Sequence, residues 1–126
     1  MTPLPANVHR AWEDRDGQPA VLATVGTGGS PNLIYVTCVG LFGEDQVVVA
    51  DNYFNKTRAN VLAGSKGALL FRSKDGTSYQ IKGRFQYHTE GEVFDDMKKW
   101  NLPGKPGNAA AALSIEEVYS GATRLL

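Results

Sequence analysis

Four consecutive side chains in the middle of the sequence could bind an anion. Asn55, Lys56, Thr57 and Arg58 follow the apolar run that ends at Ala50, within the stretch ADNYFNKTRAN. We expect Asn55 to cap a short helix that begins at Lys56, and cations in a first turn are unfavourable by about 0.3 to 1 kcal/mol each unless an anion lies beside them. With a phosphate there, the free N–H groups of the helix start would converge on it as donors, together with the Lys56 ammonium and the Asn55 and Thr57 side chains. An ordinary Asn cap with two solvated cations fits the same spacing.

The rest of the sequence offers few reactive groups, so no catalytic residue is assigned. His88 is expected on the polar side of its strand as a solvated side chain, and Cys38 within a strand as a small apolar one. Together with His9, these residues show no metal-ligand spacing, and no metal site is predicted. A single cysteine cannot form an intrachain disulfide, which fits a reducing, cytoplasmic setting.

Length and charge limit the class of protein. The 126 residues suit one domain spanning 1–126, and thirteen basic residues balance thirteen acidic ones, which argues against nucleic acid as a partner. No apolar run reaches the length of a signal peptide or a membrane span, so we expect a soluble, uncleaved protein with no membrane partner. A small domain without net charge has little to oppose self-association.

The periodicity of apolar residues predicts mainly strands with a few short helices. A first helix follows Pro5, and a second, from Lys56 to Ala63, is expected to turn Ala59 and Leu62 inward. Residues 109–118 fit either a helix, on the propensity of their alanines, or a last strand. Five strands and this sixth one, in meander or hairpin order, suit a closed or nearly closed barrel. The five strands are predicted over 20–25, 31–41, 47–50, 67–72 and 77–89, and a third helix over 92–100.

Three pieces of the sequence resemble the FMN-binding split β-barrels related to pyridoxamine 5'-phosphate oxidase, especially the small bacterial FMN-binding proteins. The pieces are GTGGSPNLI at 26–34 as a hairpin and strand start, VVVA at 47–50 as a strand, and NKTRANVL at 55–62 as a helix. Their order and spacing also agree with the family. The resemblance runs over roughly residues 4 to 90, and the region after Thr89 matches only in outline.

The resemblance implies a six-stranded split β-barrel, mainly β with short helices, in which FMN lies between the two protomers of a homodimer. For residues 35–37 the alternative to a cofactor contact is ordinary strand packing. For Asp51 the alternative is a simple turn aspartate. Trp100 could stack on the flavin ring, from the same chain or from the partner, or could close its helix onto the barrel. The family's other cofactor contacts fall on Tyr35, Val36 and Thr37 beside the ring and phosphate, on Ala50, Asp51 and Asn52 at the ring edge and ribityl chain, and on Asn55, Lys56 and Thr57 at the phosphate.

The sequence departs from the family at its end. Pyridoxamine phosphate oxidases carry a basic, His-containing substrate motif there, whereas this sequence reads SGATRLL, and we do not expect that oxidase activity. The resemblance instead implies an electron-transfer protein or an FMN-dependent oxidoreductase that works with a redox partner or a small-molecule electron donor. Two alternatives are a non-catalytic carrier or sensor of FMN or haem, and a deazaflavin-dependent reductase on the same barrel.

Overall fold

The computed structural model describes residues 3–126, which form one curled antiparallel sheet with three helices. None of these three helices combines the length and the apolar character that crossing a bilayer requires. The elements in chain order are α1 (Ala6–Glu13), β1 (Ala20–Val25), β2 (Pro31–Val36), β3 (Val39–Phe42), β4 (Gln46–Asp51), α2 (Lys56–Leu62), β5 (Lys66–Arg72), β6 (Ser78–His88), α3 (Glu92–Trp100), β7 (Ala109–Ser120) and β8 (Thr123–Arg124).

The order of the strands makes the sheet a split barrel. Neighbouring strands follow the order β2-β1-β5-β6-β7-β4-β3, and β8 pairs with the end of β7. The two edge strands, β2 and β3, are joined by Thr37 and Cys38 alone, and a link of this length spans only about 10 Å. The two edges of the sheet must therefore meet at this point, and the sheet curls round to bring them together.

The predicted fold class is confirmed, with eight strands in place of six. The segment predicted as one strand over 31–41 is two strands, because the chain leaves β1 after Val36 and joins β4 from Val39 onwards. The short β8 is the other addition. Residues 109–118 lie within strand β7, which pairs with β6 on one side and with β4 on the other.

The interior of the barrel is filled by alternate residues of the strands. Trp12 of α1 meets Phe71 edge to face with ring centroids 5.0 Å apart, and Phe71 stacks on Tyr79 at 5.3 Å. With Val8, Trp12 places α1 against this core. On β6, Ile81 is fully buried and Tyr79, Phe85 and Tyr87 pack against the core.

A second apolar layer lies outside the barrel, under α3. Val93 and Met97 of this helix pack with Val48 and Ala50 of β4 and with the small side chains of β7. Those β7 residues, Ala110 and Ala112, are fully buried, so the alanines that favoured a helix on propensity serve a strand that is covered on both faces.

Helix α2 packs against β1 and β6, with a different face inward from the one predicted. Ala59 is exposed and Leu62 is 62% exposed, whereas Thr57 and Val61 are buried. The expectation that Ala59 and Leu62 turn inward is wrong, because a polar residue, Thr57, finds hydrogen-bond partners inside and takes the buried position.

Candidate functional site

A cavity of about 280 Å³ opens where the two edges of the sheet meet. Its walls come from the end of β2, the Thr37-Cys38 link, the end of β4 and the turn that leads into α2. Apolar and aromatic side chains dominate the walls, as in most sites for small ligands. The lining residues are Ile34, Tyr35, Val36, Thr37, Cys38, Ala50, Asn52, Tyr53, Phe54 and Lys105, of which Tyr35, Val36, Thr37, Ala50 and Asn52 were predicted at the cofactor.

Asp51 does not line this cavity but lies fully buried behind it. Its carboxylate accepts hydrogen bonds from Arg58 Nε at 2.7 Å, Arg58 Nη2 at 2.9 Å and the Phe54 N–H at 3.0 Å, and also from the Tyr87 hydroxyl. One side chain thus ties the end of β4 to the following turn, to α2 and to β6.

These hydrogen bonds govern the ionisation of the cluster. Burial alone would raise the pKa of Asp51, but the hydrogen bonds from Arg58, Tyr87 and Phe54 outweigh burial, and the pKa lies below its usual value. The hydrogen bonds that Arg58 donates to Asp51 in turn raise the pKa of Arg58. The pKa of Tyr87 is raised by burial and by its bond to Asp51. At neutral pH the cluster is an ion pair bridged by a neutral phenol.

Asn52, the next residue, holds the loop of residues 101–108 by hydrogen bonds. Its Oδ1 accepts from the Gly107 N–H at 2.9 Å and from Asn101 Nδ2 at 2.8 Å, and its Nδ2 donates to Asn101 Oδ1 at 3.1 Å. Its backbone oxygen accepts from Asn108 Nδ2 at 3.2 Å. The loop of residues 101–108 is therefore fastened to the end of β4, and Asn52 uses its amide for this purpose although it borders the cavity.

Asn55 and Lys56 are exposed at the start of α2. Asn55 occupies the cap position but its side chain makes no capping hydrogen bond, so the expected Asn cap is wrong; the backbone angles there are φ −134° and ψ −83°. Both side chains are open to solvent.

Thr57 points the other way, into the barrel, and is 2% exposed. Its hydroxyl accepts from Asn32 Nδ2 at 2.9 Å, and the same amide donates to Thr24 Oγ1 at 3.1 Å. Asn60 Nδ2 also donates to Thr24 Oγ1, at 3.0 Å. The side chain of Thr57 therefore belongs to an internal polar network that fastens α2 to β1 and β2.

Trp100 lies on the outer layer rather than at the cavity. Its ring covers Gly40 of β3, where an added Cβ would come within 2.8 Å of the ring, and its Nε1 donates to Asp96 at 3.3 Å. Of the two roles predicted for Trp100, closing the helix onto the barrel is the one that the structure displays within this chain.

Two lining residues of chemical interest escaped the sequence analysis. Tyr53 is 72% exposed at the mouth of the cavity, and an aromatic residue two positions after a buried strand could have indicated it. Lys105 comes from a loop rich in proline and glycine, about fifty residues away from the rest of the site, and no local pattern points to it. Within residues 3–126, no three His, Cys, Asp or Glu side chains cluster as metal ligands would.

An apolar surface continues from the cavity over β2, β1 and β5. We call this surface the outer apolar face, and the strand register places its residues on one side of the sheet. Leu33 is 69% exposed and Tyr35 78% exposed, and Tyr35 also lines the cavity. Such a patch is uncommon on a monomer and typical of a protein contact. The face consists of Val21, Ala23, Val25, Leu33, Tyr35, Ala68 and Leu70.

Comparisons with known proteins agree with this fold. The family model described as pyridoxamine 5'-phosphate oxidase matches residues 10–120, which extends the resemblance well beyond Thr89. An uncharacterised protein of Methanocaldococcus jannaschii is 30% identical over 104 residues, 79% of this chain and 70% of the relative.

Two solved structures show the same fold at low identity. An FMN-binding protein from Syntrophomonas wolfei superposes with a TM-score of 0.74 and 20% identity, over 90% of this chain and 86% of that one. An F420 reductase superposes with a TM-score of 0.67 and 12% identity, over 92% of this chain and 98% of that one. At these identities the two similarities establish the shared fold alone.

Proposed function

This chain belongs to the pyridoxamine 5'-phosphate oxidase family, and on that premise we propose that it is a flavoprotein that binds FMN at the cavity beside the start of α2. The observation that carries the proposal is that an apolar, aromatic cavity lies next to two exposed hydrogen-bond donors. An apolar, aromatic cavity suits a planar ring, and two exposed donors one or two residues past its wall, Asn55 and Lys56, suit a phosphate.

The residues present fit the ring of FMN. Ile34 and Val36 supply apolar walls, and Tyr35 and Tyr53 supply aromatic ones. At about 280 Å³ the cavity lies just below the usual range of roughly 300 to 1,000 Å³ for ligand sites. It therefore suits the ring alone, and the ribityl chain and phosphate would extend towards the exposed start of α2.

The residues also fit the phosphate, although by a different route from the one predicted. Helix α2 has only seven residues, so its dipole contributes little, and the Thr57 side chain is occupied inside the barrel. The attraction rests instead on the Lys56 ammonium, which has no acidic partner among residues 3–126, and on the uncapped amide of Asn55. Asp51 is kept from repelling the phosphate, because Arg58 neutralises its charge.

When bound, FMN supplies the redox chemistry, and the protein binds it, orients it and excludes water. We propose that the bound flavin serves electron transfer or a simple oxidoreductase reaction, with a redox partner or a small-molecule electron donor. We do not propose pyridoxamine phosphate oxidase activity, for the reason given by the sequence.

A second copy of this chain is the partner we propose for the outer apolar face. Tyr35 belongs both to this face and to the cavity, so a copy seated there would cover the open side of the cavity. Sedimentation should show a dimer, and Leu33→Glu should convert it to monomer. Leu102→Glu is the matched control, because Leu102 is 51% exposed and belongs to the 101–108 loop rather than to β1, β2 or β5. A wild-type monomer at micromolar concentration would contradict the homodimer.

The similarity to an F420 reductase supports one alternative, a deazaflavin cofactor on the same barrel. Titration of the purified protein with FMN and with F420, followed by visible absorption, separates the two because the chromophores absorb at different wavelengths. We expect stoichiometric FMN. Preference for F420, or no binding of either, would overturn the proposal.

A test of turnover then separates an oxidoreductase from a carrier or sensor. The FMN-loaded protein is mixed with NAD(P)H or with a reduced redox protein, and reduction of the flavin is followed over several cycles. Repeated reduction and reoxidation supports the oxidoreductase, whereas a flavin that stays oxidised under every donor supports a carrier.

A further inference from the structure

Lys105 is the only charged residue among the ten that line the cavity. Its backbone is held in place by the neighbouring anchors of the 101–108 loop. Asn52 accepts from the Gly107 N–H at 2.9 Å, and Lys98 Nζ donates to the carbonyls of Pro106 at 3.1 Å and Gly107 at 3.2 Å. A residue between such anchors keeps a defined position although the loop has no regular structure.

The side chain of Lys105 is held at the mouth of the cavity by an aromatic ring. Its Nζ lies 5.0 Å from the ring centroid of Tyr53, within the range of a cation–π contact. Among residues 3–126 it has no acidic partner, so its three N–H donors are available to a ligand. The hydrogen bonds of the loop thus hold in place the one charged residue of the cavity lining.

Lys56, by contrast, does not line the cavity. The two lysines would therefore contact different parts of any ligand that fills the cavity and extends towards α2. We propose, on the basis of the proposed function, that Lys105 binds the polar edge of the flavin ring, where carbonyl oxygens accept hydrogen bonds, while Lys56 binds the phosphate. Lys105 is then a specificity residue for the ring and acts independently of the phosphate.

Riboflavin, which is FMN without its phosphate, separates the two roles. Dissociation constants of FMN and riboflavin are measured by fluorescence titration with the full chain and with Lys105→Gln, Lys56→Gln and Lys99→Gln. Lys99 is the matched control, because it is exposed on α3, loses the same charge and lies outside the cavity. Lys105 is exposed too, so its replacement leaves the fold intact.

We expect Lys105→Gln to weaken both ligands by a similar factor of about 10 to 150, the range of one hydrogen bond to a charged group. Lys56→Gln should weaken FMN alone, Lys99→Gln neither, and Lys105→Arg should restore most of the loss. As a second measurement, the visible band of bound FMN should shift in Lys105→Gln and stay unchanged in Lys56→Gln.

Each result has one meaning. If Lys105→Gln weakens FMN but not riboflavin, Lys105 binds the phosphate and the assignment to the ring is wrong. If it changes neither affinity, or leaves the band of bound FMN as in the wild type, Lys105 does not contact the cofactor, while the proposed function stands. If the wild-type protein binds neither flavin, the proposed function fails, and this inference fails with it.

Discussion

Replacing Asp51 by Asn tests whether the buried cluster behind the cavity holds the site together. Asn has the same shape, but it carries no charge and turns an NH2 group towards donors. Asp51 accepts four hydrogen bonds, two of them from the Arg58 guanidinium, at 2.7 and 2.9 Å. Asn can keep the bonds to one oxygen only, so at least one charge-assisted bond is lost and a buried donor faces another donor.

The expected loss in the free energy of unfolding is about 2 to 3 kcal/mol at pH 7. A hydrogen bond to a charged group contributes about 1.5 to 3 kcal/mol, and breaking a buried ion pair costs about 3 to 5 kcal/mol. We take a value below the second range because the charge left unpaired, that of Arg58, belongs to a side chain that is 36% exposed. Urea denaturation followed by the fluorescence of the buried Trp12 measures the difference at a fixed protein concentration.

The pH dependence gives the sharper test. The folded-state pKa of Asp51 is lowered, so its contribution is complete above the unfolded-state pKa of about 3.9 and disappears as the pH falls through the folded-state value. The gap in stability between wild type and Asp51→Asn should be constant from pH 7 to pH 5 and shrink below pH 4. A gap under about 1 kcal/mol, or one that persists unchanged at pH 3, would refute this account of Asp51.

Two further substitutions test other parts of the structure. Gly83→Ala should destabilise the fold by about 3 kcal/mol or more, because an added Cβ would come within 1.8 Å of the Ser114 carbonyl oxygen. Thermal unfolding measures this loss of stability. Gly28→Ala is the control and should be nearly neutral, because an added Cβ there meets nothing within 4 Å. Asn52→Ala removes the hydrogen bonds that fasten the 101–108 loop and should release it. We expect faster amide hydrogen exchange in that loop and weaker flavin binding. Exchange equal to that of the wild type would show that other contacts hold the loop.

Much of the fold could be predicted because it is encoded locally. The alternation of β6 and the β-branched run of β4 identify strands without reference to the rest of the chain. The break at Thr37 and Cys38 has no such signal, since β-favouring residues continue through it. Its cause is that the chain changes partners from β1 to β4, which only the assembled sheet determines.

The candidate site was predictable to a similar extent. The window that begins at Ala50 contains four of the ten residues that line the cavity, so a local pattern could find that part of the wall. The roles within that window depend on distant partners: Asp51 bonds to Tyr87, Asn52 to Gly107, and Thr57 to Asn32. Partners 25 to 55 residues away leave no trace in the local sequence, which is why the structural hydrogen bonds of these three residues could not be predicted from it.

The central position of β7 sets the order in which this protein can acquire its shape during synthesis. Strands β2, β1, β5 and β6 form one continuous ladder, and β4 with β3 forms another. Within residues 3–126, strand pairing joins the two ladders only through β7, the twelve-residue strand Ala109–Ser120. A nascent chain that has not yet released this strand holds two ladders that are linked by Thr37 and Cys38 but have open edges where β7 will pair. Because unpaired edges invite aggregation, the growing chain stays vulnerable until β7 has emerged from the ribosome.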